Sequence, residues 1–214
     1  MLKLIYLANR KPGFTHDDFA RRWRMHGALG MSTPFWRHAL GYVQAEPIRP
    51  VPIAGASGDY DAVACLMVRD DTFTGPYTPE DIAASETMIE DEAETFAGPI
   101  PNVSLWVSEE TLKPGALGGI TAFLFFTDAG KARATGLCYA ASDGLNRVVV
   151  NLKREGAALG PMKNTLPYAA IVELSASSVE GLKAVLGTAG VAPLGGADVT
   201  VVTREAVLWD RLTA

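Results

Sequence analysis

The histidine best placed for chemistry lies on the apolar stripe of a predicted helix. Counted at about 100° per residue, one narrow arc of this helix holds Phe19, Trp23, His26 and Gly30. The His26 imidazole therefore faces the surface on which Phe19 and Trp23 pack, not water. Because an imidazole exchanges protons near neutral pH, His26 is a candidate general acid or base. The competing interpretation is a structural histidine whose hydrogen bonds are satisfied.

Asp61 is the predicted partner of His26. It lies near the start of a predicted strand, Tyr60–Val68, in which alternate side chains share a face, here with Val63, Cys65 and Met67. If helices cover that face, the Asp61 carboxylate can orient the His26 ring and fix one tautomer. The alternative is that Asp61 only caps a turn by accepting backbone N–H groups.

Aromatic and cationic side chains near these two residues predict a site for a flat, apolar ligand. The walls would come from Tyr6, Trp23, Phe35, Trp36, Tyr42 and Tyr60. Two cations, Arg10 and Arg37, could neutralise a phenolate or enolate. Each aromatic residue could equally well be a core residue.

Metal and cofactor chemistry is not predicted. Of the three histidines, only His26 and His38 could join Asp61 or Glu46 around a metal, and no HxxxH or HxH pair exists. A heme ligated by His26 would need a much larger cavity. His16 and His38 are expected to face solvent. No Walker loop or triad spacing is present, so phosphate and amide hydrolysis are disfavoured.

Composition narrows the class of protein. The 214 residues carry a net charge of −5, and no basic face is long enough to follow a phosphate backbone, so nucleic acid is excluded as a partner. No apolar run approaches the roughly 20 residues that span a bilayer. Cys65 and Cys138 lie far apart and are expected to be buried, reduced thiols. We therefore expect a cytoplasmic protein that has no membrane contact.

The order of predicted elements is βαββαβ in the first half of the chain. Thr15, and the run Thr78-Pro79-Glu80-Asp81, are predicted helix starts. The first helix should end between Gly27 and Gly30. The second should reach Phe96, with Ile82 and Ile89 inward and the acidic run 86–94 facing solvent. The predicted strands are Leu2–Ala8, Arg37–Gln44, Tyr60–Val68 and Asn102–Ser108.

The same order returns, more weakly, in the second half. Glycines and a proline around residues 113–119 indicate a linker, which predicts two ferredoxin-like domains at 1–112 and 118–214. A single α+β domain with one irregular sheet is the alternative. The predicted helices are Ala129–Ala140 and the segment from Ser177 to Gly187, and the predicted strands are Ile120–Phe126, Arg147–Lys153, Tyr168–Leu174 and Asp198–Thr203.

Strands that are apolar on both faces dictate how the two modules pack. Leu2–Ala8, Tyr60–Val68 and Ile120–Phe126 must hide a second face that their own helices cannot cover. Placing the two antiparallel sheets face to face, with the helices outside, achieves this. The sequence thus predicts an α+β pseudo-dimeric barrel, and whole chains could pair further as a homodimer.

Two motifs resemble the EthD family of the dimeric α+β barrel superfamily. They are the run RKPGFTHDDFARRWRMHGALG, with its Lys-Pro-Gly turn and His-Gly ending, and the strand GDYDAVACLMVRDD. The resemblance covers about residues 1–108. The second half departs from it, because it has no histidine and no aromatic helix. The resemblance implies that the site lies in the first module and that the second module closes the barrel.

These observations favour an enzyme without a cofactor, acting on a small hydrophobic, polyketide-like carbonyl or phenol. One placed acid–base group contributes about 10²- to 10⁴-fold, which suits reactions with delocalised intermediates. His26 would be the base or acid, and Asp61 its orienting partner. The resemblance favours an oxidoreductase over a lyase or isomerase. The alternative is a non-catalytic protein that binds a hydrophobic metabolite.

Overall fold

A computed structural model describes residues 1–155, 163–187 and 194–212. The helices are α1 (His16–Ser32), α2 (Pro79–Thr95), α3 (Ala129–Ala140) and α4 (Val179–Gly187), with a 3-10 helix at Pro34–His38. The strands are β1 (Leu2–Ala8), β2 (Ala39–Pro47), β3 (Ala62–Val68), β4 (Ser104–Lys113), β5 (Gly119–Phe126), β6 (Arg147–Lys153), β7 (Ala170–Ala176) and β8 (Val199–Asp210).

The eight strands close into one antiparallel barrel in the order β1-β3-β2-β8-β5-β7-β6-β4. Strands β4, β1, β3 and β2 come from the first half of the chain, and the rest come from the second. The halves join edge to edge where β2 pairs with β8 and where β4 pairs with β6. The two four-stranded sheets therefore face each other across the interior, which confirms the predicted fold class.

Strand alternation decides which side chains enter the barrel. On β3, Val63, Cys65 and Met67 pack in an interior cluster that also holds Phe123 and Phe125 of β5. The residues between them, Ala62, Ala64 and Leu66, pack in the clusters on the outside of the sheet. Because neither face of β3 meets water, the strand is apolar throughout.

Side-chain caps start the helices where the sequence predicts them. The Asp18 backbone N–H donates to Thr15 Oγ1 at 3.1 Å, and Thr78 forms a complete capping box with Asp81. Helix α1 continues to Ser32, two residues past the predicted end between Gly27 and Gly30. A Cβ at Gly27 would lie 2.8 Å from Gln44 Nε2, so this glycine allows close packing of the helix on the sheet.

Helix α2 is rotated relative to the sequence prediction. Ile82 and Ile89 are 53% and 61% exposed instead of inward. The residues turned away from solvent follow helical spacing and are Ala84, Met88, Asp91, Glu92 and Thr95. The prediction that the whole acidic run 86–94 is solvated is therefore wrong for Asp91 and Glu92. The reason is that α2 packs on α1 and roofs a partly polar cavity, so apolar residues alone do not mark its inner face.

The barrel interior contains a buried group of charged side chains at one end. Lys3 and Glu173 are each 1% exposed, and Lys3 Nζ lies 2.5 Å from Glu173 Oε1. Arg147 Nη1 binds the other Glu173 oxygen at 2.6 Å, and Glu109 accepts from both Lys3 and Arg147. Asn151 Nδ2 donates to Glu173 Oε1 at 2.8 Å. The charges of these side chains are thus paired within the barrel.

Two smaller predictions can be compared with the fold. Cys65 is buried as expected, whereas Cys138 is exposed, and both thiols are free. The segment Arg37–His38, predicted as the start of a strand, ends the 3-10 helix instead, and β2 begins at Ala39. Within the described ranges 1–155, 163–187 and 194–212, no helix has the length and hydropathy needed to cross a membrane.

Candidate functional site

A cavity of about 540 Å³ lies between the first-half sheet and the helices above it. Its floor is a row of paired residues that crosses the strands: Tyr42 pairs with Leu66, Leu66 with Leu4, and Leu4 with Trp106. Tyr6 lies two residues further along β1. The row crosses all four strands of the first half, so three strand spacings separate its ends, roughly 14 Å. The floor is long enough for two or three fused aromatic rings.

Aromatic rings form much of the wall. Phe35 and Phe73 stack with ring centroids 6.3 Å apart, and Phe73 meets Trp106 edge-on at 5.3 Å. At the opposite end of the floor, Trp36 meets Tyr42 edge-on at 5.6 Å. These residues line the cavity together with the inner face of α2. The chamber is therefore mostly apolar, with polar residues at its edge, and suited to flat rings.

His26 is 6% exposed and lines this cavity. Its Nδ1 lies 2.6 Å from Asp91 Oδ2, so in the neutral ring Nδ1 carries the hydrogen and donates it to the carboxylate. Nε2 then keeps its lone pair, and the one hydrogen bond of the ring among the described residues is that of Nδ1. The Phe96 ring packs edge-on against the imidazole at 5.4 Å. This arrangement leaves Nε2 free to accept a proton.

Electrostatics keep His26 in the basic form. Burial lowers the pKa of His26 below 6.5, and the hydrogen bond to Asp91 partly opposes this effect. Burial alone would raise the pKa of Asp91, but hydrogen bonds from Arg22 and His26 hold it below the ordinary value. Arg22 Nη2 lies 2.5 Å from Asp91 Oδ1. Asp91 is therefore an ionised carboxylate that orients a neutral imidazole.

Glu92, the residue next to Asp91, also lines the cavity. Burial is the main reason that the pKa of Glu92 is raised to about 7, and the negative charge of Asp91 raises it further. The backbone N–H of Ile100 donates to the Glu92 carboxylate and partly offsets this rise. No cation forms an ion pair with Glu92 in the part of the chain that the structure describes. A second proton-exchanging group thus borders the same space as His26.

Replacing Glu92 with glutamine should stabilise the protein at alkaline pH. The folded-state pKa lies above the ordinary 4.5, so wild-type stability falls as pH rises from 4.5 through about 7. Above that range, Glu92→Gln should raise the free energy of unfolding by about 1 to 3 kcal/mol, with little effect near pH 4.5. Urea denaturation at pH 5 and pH 8 measures the difference.

Glu90→Gln is the matched control, since Glu90 is an exposed carboxylate on the same helix. It should leave the pH dependence of stability unchanged. If Glu92→Gln and the wild type keep the same stability difference at both pH values, the Glu92 carboxyl does not titrate in this range.

Buried hydroxyl groups connect the cavity floor to the helix. Tyr6 shares a hydrogen bond with Tyr42, and its hydroxyl accepts from Trp23 Nε1 at 3.0 Å. Gln44 Nε2 donates to Tyr42 Oη at 3.1 Å and to the Trp23 carbonyl at 2.8 Å. Burial raises the pKa of both tyrosines, so both remain neutral phenols. The network fixes two floor side chains in place.

The structure does not bring Asp61 to His26. Asp61 lies at a bend immediately before β3, in which Val63, Cys65 and Met67 face the barrel interior and not the helices. Its carboxylate binds Arg10 Nη1 at 2.5 Å and accepts the Arg10 backbone N–H at 3.1 Å. Arg49 and His16 also contact it. The carboxylate accepts one backbone N–H, as the alternative interpretation expected, but its other contacts are with basic side chains. Asp91 is the carboxylate that contacts His26.

The other predicted site residues divide into two groups. Those that line the cavity are Tyr6, His26, Phe35, Trp36, Arg37 and Tyr42. Arg37 lies at the rim, where its Nη2 contacts both carboxylate oxygens of Asp81, at 3.0 and 3.1 Å. Trp23 is fully buried behind Tyr6. Arg10 belongs to the Asp61 cluster, and Tyr60 packs against the interior cluster of the barrel.

Sequence analysis missed Asp91, Glu92 and Trp106. All three lie outside α1 and β3, the two elements on which the sequence placed His26 and its partner. Asp91 is 65 positions from His26. The signal that could have found the two acids is their place on the stripe with Ala84, Met88 and Thr95, which sets them apart from Glu90 and Glu94. In the described ranges, no group of three or more His, Cys, Asp or Glu side chains is arranged to hold a metal ion.

Comparison with solved structures supports the fold. An anthrone oxidase-like protein aligns with 100% of this chain and 95% of its own, at 12% identity and a TM-score of 0.51. A provisionally named chlorite dismutase aligns with 96% of this chain and 95% of its own, at 10% identity and a TM-score of 0.54. No protein-family model matches the chain, and no curated protein matches it in sequence. Membership of the EthD family therefore remains a prediction.

Proposed function

We propose that this protein is an acid–base enzyme that acts, without a cofactor, on a small aromatic carbonyl or phenol. One observation carries the proposal: the neutral His26 ring borders an apolar cavity of about 540 Å³ with Nε2 free and Nδ1 bound to Asp91. A cavity with flat walls and one oriented base suits substrates whose anions are delocalised over rings.

The reaction begins with proton transfer from the substrate to His26 Nε2. The imidazolium that forms is stabilised by the Asp91 carboxylate 2.6 Å from Nδ1, and Arg22 keeps that carboxylate ionised. The substrate retains the electron pair as an enolate or phenolate. Glu92 borders the same space and, with a pKa of about 7, can exchange the proton with the product.

Oxidation is the reaction type that we favour. The carbanion of a ring CH2 that is conjugated with a carbonyl through aromatic rings, as in anthrone, can reduce O2, so that CH2 and O2 give C=O and water. The EthD resemblance favours this branch over dehydration, decarboxylation or isomerisation, and the anthrone oxidase-like neighbour is compatible with it. In this proposal the first half, residues 1–112, carries the site, and residues 118–214 close the barrel.

Proton abstraction can be tested separately from oxidation. Under nitrogen and in D2O, the protein should accelerate exchange of the CH2 hydrogens of anthrone, because His26 Nε2 removes them whether or not O2 is present. Proton NMR measures the exchange rate, and absorbance after admission of air measures oxidation. β-Keto aromatic acids and quinols extend the panel to the other reaction types.

The outcomes separate an enzyme from a binding protein. Acceleration of exchange supports the proposed chemistry, and oxidation in air supports the oxidase branch. Saturable binding of the panel without exchange or turnover would contradict catalysis and favour a carrier of hydrophobic metabolites. Absence of both binding and turnover across the panel would contradict this choice of substrate class.

A further inference from the structure

Three buried nitrogens that have no hydrogen-bond partner among the described residues belong to side chains that line the cavity. They are Trp36 Nε1, Trp106 Nε1 and His38 Nδ1. Trp36 and Trp106 are only 8% and 1% exposed. Buried polar groups are paired in the large majority of cases, so three unpaired nitrogens around one cavity require an explanation. The only other such atom in the described part of the chain, Asn151 Oδ1, belongs to the charged group in the barrel.

All three nitrogens are hydrogen-bond donors. An indole Nε1 can only donate. Arg37 Nε donates to His38 Nε2 at 3.1 Å, so in the neutral ring the hydrogen lies on Nδ1. Burial, with Arg37 and Arg69 nearby, lowers the pKa of His38 and keeps its ring neutral. Side chains around the cavity therefore carry unpaired N–H groups, which acceptor oxygens would satisfy.

The two indoles stand at opposite ends of the cavity floor. Trp106 is itself one end of the cross-strand row. Trp36 packs on Tyr42, which is the other end. Roughly 14 Å of floor separates these ends, so no single ligand oxygen can serve both indoles. Tyr6 of β1 lies between the two ends along the row direction, and the Phe96 ring packs against both Tyr6 and His26.

We propose that the cavity selects planar ligands that carry acceptor oxygens at both ends of their long axis, read by the indole N–H groups of Trp36 and Trp106. The middle of such a ligand then lies below His26. This inference rests on the proposed function for the site but concerns binding. Both side chains border the cavity, so a small side-chain adjustment brings each N–H to a ligand oxygen.

Matched ligands and variants test this selection. The probes are 2,6-dihydroxyanthraquinone, with oxygen at both ends, and 2-hydroxyanthraquinone, with oxygen at one end. Trp36→Phe and Trp106→Phe each remove a donor and keep an aromatic ring. Isothermal titration calorimetry should show the dihydroxy probe binding more tightly than the monohydroxy probe in the wild type. Each variant should reduce this preference about 3- to 10-fold, the effect of one net hydrogen bond.

Trp209→Phe is the matched control, because the Trp209 indole is already paired with the Ala39 carbonyl at 3.3 Å. It should keep the preference of the wild type, and thermal unfolding should show that all variants fold. The proposal is wrong if the wild type binds neither probe or binds both alike, or if the variants weaken both probes equally. Since only binding is measured, these results stand even if the protein catalyses no proton transfer, which the exchange experiment decides.

Discussion

Replacing His26 with alanine is expected to lower kcat/KM for the aromatic substrate by about 10²- to 10⁴-fold, the usual contribution of one placed acid–base group. The reason is that His26 is a basic side chain that borders the cavity, and Asp91 already fixes its tautomer. Steady-state oxidation of anthrone, or its hydrogen exchange under nitrogen, measures the loss.

The pH profile distinguishes a base from a structural residue. His26 must be neutral to accept a proton, and its pKa lies below 6.5. The acid limb of kcat/KM should therefore fall below pH 6.5 in the wild type and disappear in His26→Ala. His16→Ala is the control, because His16 lies on the same helix but contacts Asp61 outside the cavity. Full activity of folded His26→Ala would refute the catalytic role.

The second large effect concerns stability, and Glu173→Gln is expected to cost about 3 to 5 kcal/mol in the free energy of unfolding. The Glu173 carboxylate forms ion pairs with Lys3 Nζ at 2.5 Å and with Arg147 Nη1 at 2.6 Å. An isosteric amide removes the negative charge and leaves Glu109 as the remaining ion-pair partner of two buried cations. Guanidinium denaturation at pH 7 measures the change.

Two controls separate charge imbalance from other causes. Arg133→Gln breaks the exposed pair with Glu110 and should cost less than about 1 kcal/mol. The double variant Lys3→Met with Glu173→Gln restores the charge balance, so it should be more stable than Glu173→Gln alone. If Glu173→Gln costs no more than Arg133→Gln, the buried charges do not stabilise the barrel as a unit.

The sign of each pKa shift sets the pH window of this contribution. Contacts with Lys3 and Arg147 overcome the effect of burial and lower the pKa of Glu173, so its contribution is present above pH 4.5 and is lost in acid. Burial alone would lower the pKa of Lys3, but Glu173 raises it, so that contribution is lost only on alkaline titration above 10.5. The cost of Glu173→Gln should hold between these limits.

Local patterns in the sequence were enough to predict the elements and the barrel. The caps at Thr15 and Thr78 are properties of neighbouring residues, and Ala129–Ala140 forms the helix as predicted. Strands that are apolar on both faces require cover on both sides, which a closed barrel between helices provides. The helical stripe of Phe19 and Trp23 was sufficient to place His26 on the buried side of α1.

The tertiary structure decided which groups meet across the chain. Alternation predicted a shared face for Asp61, Val63, Cys65 and Met67, but only barrel closure determined that the face of Val63, Cys65 and Met67 is the interior. Helix α2 turns Asp91 and Glu92 inward because it packs on α1 above a cavity whose edge is polar. The spacing of apolar residues within α2 does not reveal this contact. The row from Tyr42 to Trp106 depends on the register of four strands that are remote in sequence. The chemistry of each side chain is known from the sequence, but the distances between the side chains of the site depend on the tertiary structure.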